Sequence, residues 1–306
     1  MKILVTGSSG FIGSNLVNSL NYSIRAVQRC VSKSQNTSVE YFLVKNFESF
    51  QNWRVLLKDI DVVVHLIGLA HTKLDFSQKS FSNNLSLNFH STINFANAAS
   101  MLGVSRFIYL SSAGVYGDYS SLPFSEDVLP KPLGPYAISK LIAERYLLEI
   151  SSMCKMDVVI IRPPLVYGSG APGNFSRLLK LVRLGFPLPL SGISNNRSFL
   201  GINNLINFIT HCIDNPAAGN QVFNVTDDED ISTVGFMNLI SKTLDKKINF
   251  FSLPGNTLSS IFNFIGKKDE YVKLTNDFQL DISKSKNILD WSPEFTIEEQ
   301  LREALI

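Results

Sequence analysis

The sequence predicts an α/β protein: a doubly wound parallel sheet, followed by a smaller mixed α/β portion. Strand-like and helix-like patterns alternate through the first half of the chain, as βα units on a parallel sheet require. The first unit also carries a glycine-punctuated turn, Thr6-Gly7-Ser8-Ser9-Gly10-Phe11-Ile12-Gly13, directly behind the apolar run Met1-Lys2-Ile3-Leu4-Val5. After Tyr167 the pattern loosens, and Gly168-Ser169-Gly170-Ala171-Pro172-Gly173 marks a break.

The first strand covers Lys2–Thr6, where β-branched and apolar residues stop at Gly7. The first helix, Phe11–Ser19, begins inside the glycine spacing. Strands follow at Ile24–Gln28 and Glu40–Val44, a helix at Phe50–Leu57 and a strand at Val62–Leu66. A long helix over Asn84–Met101 precedes a strand at Arg106–Leu110. The helix over Pro135–Met153 opens on proline, which suits a first helical turn. Asp157–Arg162 is the sixth strand, and Gln221–Val225 and Asn249–Ser252 read as later ones. Residues 1–166 are thus expected to form a Rossmann-type dinucleotide-binding domain, with part of 198–226 returning to its sheet. Residues 167–306 are expected to be mainly a substrate-binding domain.

The glycine loop has a physical task. Gly7 allows a tight turn, Gly10 lets backbone N–H groups approach a pyrophosphate, and Gly13 lets the helix pack on the strand. Phe11 and Ile12 open the helix whose free N–H groups and partial positive charge meet the phosphates. The spacing is GxxGxxG rather than the commoner GxGxxG.

Composition excludes several classes. Lys and Arg number 28 against 26 Asp and Glu, a net charge of +2, so neither nucleic acid nor a membrane surface is an expected partner. Cys30, Cys154 and Cys212 are scattered and lack CxxC spacing, which reads as reduced thiols in a cytoplasmic setting. His65 and His71 do not have a zinc spacing, and no metal is expected. The chain opens on a core strand, so no signal peptide is expected. The apolar stretch 258–265 is too short to span a bilayer and reads as a packed helix.

Tyr136-Ala137-Ile138-Ser139-Lys140 places a phenol and an ammonium on one helical face. The cation is expected to draw the tyrosine pKa down and make it a proton donor and acceptor at a carbinol or ketone. Leu110-Ser111-Ser112 ends a strand, so Ser112 stands where it can hydrogen-bond the same substrate oxygen.

At these residues the chain resembles the extended short-chain dehydrogenase/reductases that modify nucleotide sugars. TGxxGxxG lies at Thr6–Gly13, Val62-Val63-Val64-His65-Leu66 resembles the strand leading to the nicotinamide side, and Asn88 matches an asparagine beneath the active site. Ser91 stands where glycine is usual before Thr92. Pro123-Phe124-Ser125-Glu126-Asp127, Arg162-Pro163-Pro164-Leu165-Val166-Tyr167-Gly168, Arg197-Ser198-Phe199-Leu200 and Asp290-Trp291-Ser292-Pro293 match further family elements. The resemblance implies a catalytic triad of Ser112, Tyr136 and Lys140, and hydride transfer at sugar C4. It implies cofactor contacts from Leu66, Gly68, Asn88 and Pro163 besides the glycine loop. It also implies substrate contacts from His71, Ala113, Asn174 and Arg197, the last on a diphosphate, and a homodimer built on the helices Asn84–Met101 and Pro135–Met153.

Dehydratases of the family carry an Asp-Glu pair after the active-site hydroxyl. Ala113-Gly114 stands there instead, which disfavours dehydration. No Asp or Glu precedes Glu40; Gln28 and Arg29, with Lys33 nearby, occupy the turn that meets the adenosine ribose. Positive charge there suits a 2′-phosphate, so NADP(H) stands beside NAD(H). Asn46-Phe47 lies at the expected adenine edge. This charge pattern, and similarity around Gly173–Leu179 and Gly185–Leu190 to UDP-4-keto-6-deoxy-N-acetylhexosamine reductases, favours a 4-keto reductase of surface-polysaccharide sugar synthesis. A UDP-hexose or UDP-N-acetylhexosamine 4-epimerase with tightly bound NAD is the alternative, and a non-catalytic dinucleotide sensor the remote one.

Overall fold

In a computed structural model of the chain, residues 1–30, 36–69, 77–119, 121–253, 257–266 and 268–306 are described. The large sheet has seven strands in the order β3-β2-β1-β4-β5-β6-β9. They are β1 (Lys2–Thr6), β2 (Ser23–Gln28), β3 (Val39–Leu43), β4 (Val62–His65), β5 (Arg106–Leu110), β6 (Asp157–Arg162) and β9 (Gln221–Asn224). All its pairings are parallel. The strand order reverses between β1 and β4, and the crevice at their carboxyl ends is where such sheets receive ligands.

The helices follow from apolar spacing on either face of this sheet. Ile3 and Val5 of β1 face the side covered by α1 (Phe11–Ser19) and α7 (Ile202–Asp214), whereas Leu4 faces the side of α2 (Trp53–Leu56), α4 (Ser91–Met101) and α5 (Gly134–Met153). α3 (Gln78–Asn84) runs through a π-helical turn, Leu85–His90, into α4. Such turns inside helices are often found at functional sites.

A second sheet, β10-β8-β7, joins β7 (Leu165–Tyr167), β8 (Arg197–Gly201) and β10 (Asp230–Ile231). β7 and β8 are parallel, and β10 is antiparallel to β8. It packs against α6 (Asn174–Leu184), α8 (Thr233–Thr243) and α12 (Ile297–Leu305) around Tyr167, Phe175, Phe199 and Phe236. The rings of Phe199 and Phe236 stack with centroids 4.1 Å apart. The remaining α-helices among the described residues are α9 (Thr257–Phe264), α10 (Lys268–Thr275) and α11 (Ser283–Leu289).

Three expectations are corrected. The helix expected over 50–57 shrinks to Trp53–Leu56, and the one expected from Asn84 starts a full turn earlier in α3. No strand forms at Asn249–Ser252; Phe250 makes only an isolated bridge to Leu188. Leu188 is flanked by Pro187 and Pro189, which have no N–H to extend a ladder.

Candidate active site

The glycine loop is built around steric contacts that only glycine permits. Gly7 has φ +70°, and a Cβ on Gly13 would stand 2.2 Å from Gly7 O. Gly10 caps α1 without a side-chain hydrogen bond, so the first N–H groups of the helix stay available to an anion. The loop is pinned from below by a buried chain. Thr6 Oγ1 and His65 Nδ1 are 2.8 Å apart, His65 Nε2 and Thr92 Oγ1 3.0 Å, and Leu66 N donates to Thr6 Oγ1 at 3.2 Å. Burial lowers the His65 pKa to about 3, with Lys140 adding to the effect, so this imidazole is neutral.

Gln28 ends β2 beside the loop. It is buried, and its Oε1 has no partner among the described residues. A buried orphaned acceptor is costly unless a donor arrives. A ribose hydroxyl is such a donor, so the residues fit a dinucleotide. Arg29 is exposed. The Phe47 ring is buried against Trp53, His65 and Phe95. Asn46 Oδ1 accepts from Glu48 N at 2.9 Å and from Ser49 N at 3.3 Å, so its amide is engaged in a turn.

Ser112 and Tyr136 meet at the end of β5, and Lys140 lies one turn further along α5. Ser112 follows β5, and its hydroxyl shares a hydrogen bond with the Tyr136 phenol while accepting from Gly114 N at 3.1 Å. Lys140, one turn along α5, is buried. Its Nζ donates to Leu110 O at 2.8 Å and lies 4.5 Å from the Tyr109 ring centre. The expected lowering of the tyrosine pKa is not met in the protein alone. Burial raises Tyr136 to about 12 against the lowering effect of the Ser112 bond, and burial lowers Lys140 to about 7 against the raising effect of Glu144. Desolvation outweighs the Ser112 hydrogen bond at Tyr136 and the Glu144 charge at Lys140.

Asn88 lies in the π-helical turn, fully buried. Its Oδ1 accepts from Leu69 N at 2.8 Å, and its Nδ2 donates to Ser139 Oγ at 3.0 Å. It thereby ties the β4 loop to α5. Gly68 sits directly over this junction: a Cβ there would be 3.1 Å from Lys140 Nζ and 3.2 Å from Asn88 Oδ1. Pro163 O accepts from Ala113 N at 2.9 Å, which joins the ends of β5 and β6. Ala113 itself is fully buried, so it presents no surface to a substrate, contrary to expectation. Asn174 is exposed at the start of α6. Arg197 is half-buried; its Nη1 donates to Asn276 O at 2.8 Å and its guanidinium lies 5.4 Å from the Phe278 ring centre. Burial lowers its pKa to about 10, offset by Asp118 and Asp277, so it stays a cation at neutral pH. His71 and Lys33 lie outside the described residues.

A buried network behind Lys140 was not anticipated. Glu144 forms a two-pronged ion pair with Arg162, Nη2 to Oε2 at 2.6 Å and Nε to Oε1 at 3.1 Å, and accepts a hydrogen bond from Ser111 Oγ. Arg162 Nη1 donates to Tyr116 OH at 2.8 Å, and Tyr116 OH donates to Asn224 Oδ1 at 2.9 Å. The available signal was the position of Glu144, four residues beyond Lys140 on the same helical face.

Among the described residues there is no metal-ligand cluster and no helix long and apolar enough to cross a membrane. Residues 3–226 match the NAD dependent epimerase/dehydratase family. A UDP-glucose 4-epimerase of Vibrio cholerae is 37% identical over 310 residues, covering 99% of this chain and 94% of that protein. An N-acetyl-alpha-D-glucosaminyl-diphospho-ditrans,octacis-undecaprenol 4-epimerase of Escherichia coli O157:H7 is 28% identical over 257 residues, covering 83% of this chain and 75% of that one. The crystal structure of UDP-glucuronic acid 4-epimerase from Bacillus cereus with NAD shares the fold, with a TM-score of 0.80 at 24% identity, covering 99% of this chain and 97% of that one. With its glycine loop, its strand-end serine and its Tyr-Lys helix in place, this chain belongs to the NAD-dependent epimerase/dehydratase family.

Proposed function

We propose that this chain is a nucleotide-sugar 4-epimerase, acting on a UDP-hexose or UDP-N-acetylhexosamine and keeping NAD bound between turnovers. The observation that carries the NAD assignment is Gln28 Oε1, a buried acceptor without a partner among the described residues. That acceptor suits a ribose hydroxyl. The near full-length likeness to a UDP-glucose 4-epimerase supports the reaction class. The 4-keto reductase reading rests on the charge pattern at Gln28, Arg29 and Lys33 and on the likeness around Gly173–Leu179 and Gly185–Leu190; of that charge pattern, Arg29 is exposed at the strand end.

NAD, when bound at the glycine loop, would supply the hydride acceptor and donor for sugar C4. Tyr136 removes the proton of the C4 hydroxyl and restores it after the keto sugar turns over. Ser112 hydrogen-bonds that oxygen, Lys140 supplies positive charge behind the phenol, and Arg197 holds the diphosphate. We also propose a homodimer. Phe89, Ile93, Ile138, Ile142 and Tyr146 of the two long helices are only half-buried or exposed, whereas Phe95, Leu141, Leu147 and Ile150 belong to the core. Three free cysteines fit a reducing cytoplasm.

The test offers purified protein UDP-glucose and UDP-N-acetylglucosamine without added cofactor. The C4 epimer should appear, and the denatured protein should release NAD. Tyr136→Phe should lower turnover at least ~100-fold and retain the cofactor. Absence of epimer, with NADPH-dependent consumption of a UDP-4-keto sugar, would overturn the proposal in favour of a reductase. A monomeric mass at micromolar concentration would remove the dimer.

A further inference from the structure

We infer that Glu144 is a positioning residue for the acid/base pair: its carboxylate locks the end of β5 against α5 and keeps a negative charge one helical turn from Lys140. The inference rests on the assignment of Tyr136 and Lys140 as the acid/base machinery.

Tyr136, Lys140 and Glu144 are spaced by four and lie on one stripe of α5. Glu144 is almost wholly buried, so its charge is poorly screened by water. Its carboxylate reaches across to Ser111, the residue between Leu110 and Ser112. Leu110 O is the acceptor of the Lys140 ammonium, and Ser112 shares the hydrogen bond with Tyr136. One carboxylate therefore fixes both neighbours of Ser111, and through them both members of the pair.

The electrostatic part follows from what surrounds Lys140. Tyr109 on β5 and the neutral His65 on β4 approach from the sheet, and Tyr136 precedes Lys140 by one turn on its own helix. Asn88 and Gly68 add only neutral groups. Arg162 on β6 engages both oxygens of the Glu144 carboxylate. Glu144 is the negative charge that raises the Lys140 pKa against burial. Catalysis in either direction needs the ammonium, whether the phenol is giving or taking a proton. Loss of the Glu144 charge lowers the Lys140 pKa, so the ammonium is lost at a lower pH.

The experiment measures the pH dependence of kcat/KM for the intact enzyme with its bound cofactor. In Glu144→Gln the alkaline limb should move to lower pH by about one to three units, the range for a nearby opposite charge. That variant leaves Arg162 buried without its counter-ion. The double variant Glu144→Gln/Arg162→Gln removes both charges, and thermal unfolding reports whether it folds. The alkaline shift must persist in the double variant, because Lys140 still lacks the carboxylate. A wild-type profile in the double variant would mean that Glu144 matters only as the partner of Arg162, and the inference would fail. An unshifted limb in Glu144→Gln would also overturn it. Tyr136→Phe serves as the control: full activity there would remove the acid/base assignment itself, whereas lost activity there with no shift in the Glu144 variants would remove only this inference.

Discussion

Gly10 and Gly13 make the glycine loop testable in two separable ways. A Cβ on Gly13 would lie 2.2 Å from Gly7 O and 2.8 Å from Gly7 C and Ser8 Cα. All three are backbone atoms, and the first is more than an ångström inside ordinary contact. Gly13→Ala must therefore push α1 away from the loop, an overpacking cost of about 1–3 kcal/mol. The displaced N–H groups also lose the pyrophosphate. One charge-assisted hydrogen bond is worth about 1.5–3 kcal/mol, so NAD affinity should fall about 10- to 100-fold. Gly10→Ala differs. Its Cβ would meet only Gly7 O, at 3.2 Å, and Gly10 has extended backbone at φ −79°, ψ 170°, open to any residue. The free protein should keep its stability within about 0.5 kcal/mol, while the methyl group stands where the pyrophosphate approaches. Thermal unfolding and calorimetric titration of NAD into cofactor-stripped protein separate the two effects. Wild-type NAD affinity in Gly10→Ala would refute the cradle; an undiminished melting temperature in Gly13→Ala would refute the steric reading.

Arg197→Ala should raise the substrate KM about 10- to 100-fold, from a lost charge-assisted contact to diphosphate, and leave NAD content alone; unchanged UDP binding by calorimetry would reject it. Gln28→Leu removes the orphaned acceptor and should weaken NAD binding by about 0.5–1.5 kcal/mol, whereas Arg29→Ala should not; the reverse ranking would restore NADP(H). His65 is neutral in the fold, with its pKa lowered from 6.5 to about 3. Between those values the unfolded chain binds more protons, so stability should fall as pH drops from 6.5 towards 3; His65→Asn should flatten that slope in acid unfolding, and an unchanged slope would contradict it.

The large sheet was legible because its strands are near-continuous apolar runs. Val62-Val63-Val64 is buried on both faces, and such strands read without alternation. The small sheet was not legible for a physical reason. β7 and β10 are three and two residues long, too short to display any period. α6 is a different case. Phe175, Leu178, Leu179 and Val182 recur at helical spacing and form its packed side, a readable signal hidden by the glycine-rich break before it. Phe47 has a role that no motif position displays: its ring packs in the core between Trp53 and Phe95.

The candidate acid/base residues Tyr136 and Lys140 were legible because they are local: four-residue spacing places them on one face of a helix. The Glu144–Arg162 pair joins α5 to β6, and no spacing rule pairs residues across a sheet and a helix. The same distinction explains why the sequence misjudged the tyrosine. Proximity of a cation is visible in a sequence, but desolvation depends on what covers the pair. In the protein alone, burial leaves Tyr136 near pKa 12 and Lys140 near 7. The Lys140 value already contains the raising effect of Glu144, so loss of that carboxylate would lower it further. The positive charge of an oxidised nicotinamide would favour the phenolate in the same way. Glu144 is the part of this compensation that the chain itself supplies.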